Sequence, residues 1–205
     1  GEGLANYLYQ RPMTALYNIK RVLLGSVGDD LETRFMTPYD VGWDFLIKFN
    51  HDFTGKEALL KLSKEQHRNP VTLEWNPEDV AKVFATRLRP GEEPCEDISV
   101  QSDAFWNEQP TEQGFSYRAE KVFAGENMIG ITSGRIISYT YNSMISIGFI
   151  DPKYALEGTE LSVLWGTPGT RQMKIRAVVK KLPYNNDYIR NENKDVEEIP
   201  HFKGK

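Results

Sequence analysis

Cysteine is almost missing from the sequence. Cys95 is the single one among 205 residues, which excludes an internal disulfide framework and fits a reducing compartment, so the expected location is the cytoplasm. Long apolar runs are missing as well. None approaches the roughly 18 residues that a helical membrane span requires, and the opening Gly-Glu-Gly-Leu-Ala-Asn-Tyr has neither the basic nor the apolar region of a secretory signal. No membrane partner is expected. Positive charge is not in excess either: 25 basic against 29 acidic side chains leave a formal charge of -4, so nothing electrostatic points to a nucleic-acid partner.

Chemical motifs are equally sparse. His51, His67 and His201 lie far apart and show no metal-ligand spacing with Cys95, so no metal is expected. Neither Gly-x-Gly-x-x-Gly nor a phosphate loop occurs. Gly130-Ile131-Thr132-Ser133-Gly134 reads as a turn between strands, and Ser133 lacks the Gly-x-Ser-x-Gly elbow of a hydrolase. The pairs Asp29-Asp30 and Glu197-Glu198 stand in polar stretches, where a solvated carboxylate lacks the shifted pKa that acid–base catalysis uses. No catalytic residue is assigned.

What is present is periodicity, on a chain long enough for one large or two small domains. Met13, Leu16, Tyr17, Lys20, Leu23 and Leu24 recur at helical spacing, with Pro12 at a tolerated first-turn position and Gly25 as a stop. Trp43, Phe45, Ile47 and Phe49 alternate with Asp44, Leu46, Lys48 and Asn50, which predicts a strand. Thr54 and Glu57 have capping-box spacing ahead of a helix whose Leu59 and Leu62 share a face. Val71, Leu73 and Trp75 alternate as a second strand. Asn76-Pro77-Glu78-Asp79 then begins a helix, with Asn76 as cap and Val80, Val83 and Phe84 on the buried side.

From Arg89 to Gln113 the pattern fails. This stretch reads as a long irregular excursion and as the most protease-sensitive internal segment, with Phe105 and Trp106 serving either as anchors or as a partner contact. Beyond it, runs at Tyr117–Phe123, Met128–Thr132, Ile136–Tyr141, Ile145–Ile150, Glu160–Trp165 and Met173–Val179 are spaced by turns, as in an antiparallel barrel or sandwich. The expected fold class is α+β. A helix-and-strand unit over 1–88 and the irregular loop over 89–113 precede an antiparallel β-barrel-like domain over 114–184 and a polar tail over 185–205. The chain has no internal repeat, and because it starts without a methionine a trimmed or excised fragment is expected.

The order of several motifs is more specific than any one of them. Thr37-Pro38-Tyr39-Asp40-Val41-Gly42, Asp52-Phe53-Thr54-Gly55-Lys56-Glu57-Ala58-Leu59, the stretch from Gly125 to Gly134 ending Thr132-Ser133-Gly134, Gly158-Thr159-Glu160-Leu161, and Val178 to Tyr184 follow one another. This series resembles the C-terminal part of the aminomethyltransferase (glycine cleavage T-protein) family of tetrahydrofolate-dependent one-carbon transferases. Lys48 to Phe53, Val71 to Asn76, Thr159 to Gly166 and Arg171 to Val179 look more like the vanillate/syringate-type O-demethylases of the same superfamily, which move a methyl group from an aryl methyl ether to tetrahydrofolate.

The resemblance implies a parent enzyme that takes a small-molecule methyl donor and whose catalytic residues and most of whose pterin pocket lie in an N-terminal half unmatched here. That half is the expected partner, and the isolated chain is expected to be inactive. Phe45 stands where glycine-cleavage members usually have tryptophan, against an aminomethyl-lipoyl substrate. Tyr188, shortly after Pro183-Tyr184, lies one residue early relative to a family tyrosine that contacts folate; it either touches the cofactor or anchors the tail, and Phe45 is a second candidate. The alternative function is a non-enzymatic interaction module that reuses the fold, with the Phe105–Trp106 loop as its contact surface.

Overall fold

A computed structural model describes residues 20–100, 105–107 and 114–184. Period-two patterning builds most of it. In Asn69–Trp75 (β2) the side chains of Val71, Leu73 and Trp75 point into a common interior, and in Glu160–Trp165 (β7) those of Leu161, Val163 and Trp165 do the same. Gly114–Ala124 (β4), Asn127–Ser138 (β5), Ser143–Ile150 (β6) and Met173–Lys180 (β8) supply the other staves. Six described strands close into an antiparallel barrel in the order β4, β5, β6, β2, β8, β7 and back to β4. Closure leaves these strands without an open edge. The core holds Leu73, Val122, Ile150, Val163, Trp165, Ile175 and Val179, all essentially without solvent contact.

The expected helix-and-strand unit and barrel are therefore both present, and β2 places a strand from the first 88 residues inside the barrel, between β6 and β8. β4 is shared in another way. Its first half pairs in parallel with Lys20–Leu24 (β1) and antiparallel with Phe105–Asn107 (β3), and its second half enters the barrel.

Several sequence expectations are corrected. Lys20, Leu23 and Leu24 lie in β1, not in a helix, because pairing with β4 from Gly114 to Arg118 outweighs helical spacing; Met13, Leu16 and Tyr17 lie outside the described residues. Trp43 to Phe49 forms no strand. Asp44–Leu46 makes a single 3-10 turn whose apolar side chains face solvent. The capping box is not made, since Gly55 takes the N-cap of Lys56–Leu62 (α2, after Leu31–Arg34, α1) with a left-handed φ of 93° and no side-chain bond. Met128–Thr132 and Ile136–Tyr141 are not two strands joined by a turn: β5 runs through to Ser138, and Ser133 to Ile136 marks an irregularity with Gly134 at φ 64°.

The Asn76 cap is made as expected. Its Oδ1 accepts from the Asp79 amide at 3.1 Å, and Pro77 opens the helix Pro77–Ala85 (α3). Only Val83 of the predicted face is fully buried, while Val80 packs partly and Phe84 remains largely exposed. Asp79 ties α3 to β8 by accepting from Arg176 Nε at 2.7 Å and Nη2 at 3.0 Å. The described part of the 89–113 stretch packs on the barrel, with Cys95 and Ile98 buried and Trp165 Nε1 donating to the Glu96 carbonyl at 3.0 Å.

Candidate functional site

Phe45 is presented, not enclosed. Its ring is 65% exposed, beside Trp43 at 61% and Leu46 at 62%, and Leu31 and Phe35 earlier in the same stretch are at 53% and 77%. The backbone that carries them is nevertheless well tied. Trp43 N donates to the Pro38 carbonyl at 2.8 Å, and Gly42 adopts φ 71° where a Cβ would lie 2.9 Å from Pro70 Cγ. Asp40 closes the loop beneath. Its Oδ2 accepts from the Thr37 amide and hydroxyl, its Oδ1 from the Arg68 amide, and Tyr39 stacks on His67 with ring centroids 4.7 Å apart. Burial would raise the Asp40 carboxyl, but these donors hold it below the usual range.

A buried ionic cluster fixes the other end of this stretch. Glu120, 1% exposed, accepts from Arg118 Nη2 at 2.8 Å and Nε at 3.1 Å on Oε1, and from the Ser26 amide at 2.5 Å on Oε2. Arg118 Nη2 also reaches Glu96 at 2.6 Å. Burial pushes the Glu120 carboxyl up against the pull of Arg118; for Arg118 burial works downward, and the two carboxylates outweigh it. The Arg118 guanidinium sits 4.0 Å from the Trp165 ring centroid and that of Arg135 5.2 Å from it. Gly25, at φ 93°, passes so close to the Ala119 carbonyl that a Cβ would overlap it. From there Arg34 donates to the carbonyls of Gly28 and Leu24, both at 2.7 Å, which anchors α1 and with it Leu31 and Phe35.

Sequence reasoning missed this cluster. Its signal was the alternation of Arg118, Glu120 and Val122, which puts two charges on the inward face of a strand.

Among the described residues, two of the cavities bear on these features. A polar hollow of about 380 Å³ is lined by Asp40, Gln66, His67, Arg68, Asp151, Pro152 and Lys153. An apolar cleft of about 560 Å³ lies between α3 and the barrel rim. Phe45 lines neither of these two, so among the described residues it offers a ligand one aromatic face, and a folate would need further walls. Tyr188 lies outside the described residues. Among the described residues no group of three or more His, Cys, Asp or Glu could hold a metal ion, and no helix is long and apolar enough to cross a membrane.

No family model matches the chain. Curated relatives do. It is 46% identical to a sesamin methylene transferase of Sinomonas over 96% of its own length and 43% of the relative's. It is 33% identical to a syringate O-demethylase of Sphingobium over 90% of its length and 40% of the relative's. An aminomethyltransferase of Aquifex aeolicus matches 73% of the chain at 25% identity, across 31% of its own length. The chain thus spans less than half of each of these relatives. These matches, covering nearly all of the chain, bear out its resemblance to the aminomethyltransferase (glycine cleavage T-protein) family, and it is more similar to the methylene transferase and the O-demethylase than to the Aquifex aminomethyltransferase.

Proposed function

We propose that this chain is the C-terminal part of a tetrahydrofolate-dependent one-carbon (methyl or aminomethyl) transferase, walling the folate cavity and holding the catalytic half in place. The observation that carries this reading is the set of apolar side chains held open to solvent between Leu31 and Leu46, on a chain spanning 43% of a 46%-identical relative. Side chains of this size on a braced backbone mark a surface that another body covers. Tetrahydrofolate, when bound, supplies the acceptor for the one-carbon unit. Toward it this chain offers the Phe45 ring and, beyond the described residues, Tyr188, whose phenol combines an apolar face with a hydrogen-bonding tip. The small-molecule donor and the catalytic residues belong to the other half.

The alternative of a non-enzymatic module that presents Phe105 and Trp106 has less support, since the backbone of both residues is already paired with β4. A chimera decides between the readings. The stretch of the Sinomonas methylene transferase that matches this chain is replaced by this chain, and one-carbon transfer to tetrahydrofolate is assayed beside the isolated chain. The enzyme reading expects activity in the chimera and none in the isolated chain. A folded chimera without tetrahydrofolate binding or transfer would refute it.

A further inference from the structure

The apolar cleft on the barrel rim plays no part in the proposed folate wall. Its sides come from Val80, Ala81 and Phe84 of α3, its floor from Ile98, and its far side from Ile137 and Met144 of β5 and β6. At about 560 Å³ it falls in the size range of small-molecule sites. A dry cavity of roughly 150 Å³ already takes a benzene ring, so this one has room for fused rings. Among the described lining residues, Glu74 is the one ionisable side chain.

Glu74 already shows what it binds. Its Oε2 accepts the phenol hydroxyl of Tyr184 at 2.5 Å and faces Lys180 Nζ at 4.0 Å. Among the described residues Oε1 has no such partner, and a carboxylate oxygen beside an apolar wall favours a donor and repels a second anion. Burial, followed by the bond to Glu74, raises the Tyr184 phenol, so a phenol at this rim keeps its proton and donates it.

We infer that the cleft is a binding site for a neutral, flat, fused-ring arene bearing one hydrogen-bond donor, a phenol or an arylamine, seated against α3 with its donor on Glu74 Oε1. The occupant is recognised by shape and by a single polar contact, and aryl carboxylates of the same shape are rejected.

Three probes separate these elements on the 205-residue chain: 2-naphthol, 2-methoxynaphthalene, which lacks the donor, and 2-naphthoate, which carries negative charge. Binding is followed by probe fluorescence and by methyl resonances of Val80, Ile98, Ile137 and Met144. We expect saturable 2-naphthol binding, at least tenfold weaker binding of each of the other two, and shifts in these methyl groups. Ala81→Trp, a replacement at an exposed position of the cleft wall, should abolish binding while thermal unfolding stays unchanged. Glu74→Gln should narrow the preference for naphthol over naphthoate. Equal affinity for naphthol and naphthoate, absence of naphthol binding up to its solubility, or unaltered binding in a folded Ala81→Trp protein would each overturn the inference.

Discussion

Replacing Glu120 by Gln keeps the volume of a fully buried side chain and removes its charge. The amide keeps a single acceptor oxygen, so it can serve Arg118 or the Ser26 amide but not both, while Arg118 keeps Glu96 at 2.6 Å and the face of Trp165. Breaking a buried pair by removing one partner typically costs about 3–5 kcal/mol, because the remaining charge stays buried without compensation. Here Glu96 and the indole compensate in part, so the expectation is about 3 kcal/mol, a large share of the roughly 5–15 kcal/mol that holds a domain together. Urea unfolding followed by tryptophan fluorescence reads the loss.

The removal of Glu96 by Gln should cost less, near 1 kcal/mol, since its carboxylate is already part-solvated. The double replacement should be non-additive, because both carboxylates serve one guanidinium. Hydrogen exchange should quicken at the amides of Ser26, bonded to Glu120, and Lys121, bonded to the Ser26 hydroxyl at 2.7 Å. A loss under about 1 kcal/mol for Glu120→Gln, with unchanged exchange at both amides, would refute the view that this cluster pins the turn leading to α1.

Asp79 supplies a pH dependence. Hydrogen bonds from Arg176 hold its carboxyl far below the usual range, against burial, so its stabilising contribution is complete above the unfolded value of about 4 and lost as pH falls below that. The urea midpoint of Asp79→Asn should therefore trail the parent protein at pH 6 and converge on it toward pH 2. Gly130→Ala should destabilise by at least about 1–3 kcal/mol, since its Cβ would overlap the Phe149 carbonyl oxygen and lie 2.7 Å from Ile150 Cα, forcing β5 from β6; unfolding at the parental temperature would contradict that geometry.

The legible parts of the fold were those in which local chemistry and burial agreed. Val71, Leu73 and Trp75 alternate and are buried, and Asn76 caps the helix that follows because a cap needs only its own turn. The stretch from Trp43 to Phe49 alternates just as well, yet the side chains at its start face outward, and periodicity carries no information about which body covers a face. At Gly55 a left-handed backbone displaced the capping box, and at β1 a strand partner roughly ninety residues away outweighed helical spacing. Of the proposed site, the sequence offered family motifs and the candidate Phe45, which the structure leaves exposed. The Arg118–Glu120 cluster became visible once β4 fixed which residues point inward.

In the proposed function this chain is one wall of a composite folate site. Calorimetric titration of tetrahydrofolate into the isolated chain, into the chain joined to an upstream catalytic half, and into the joined protein carrying Tyr188→Phe tests it most directly. No saturable heat is expected from the isolated chain, saturable binding from the joined protein, and a loss of about 0.5–1.5 kcal/mol on removing the Tyr188 hydroxyl. Tight binding by the isolated chain, or no binding by the joined protein, would contradict it.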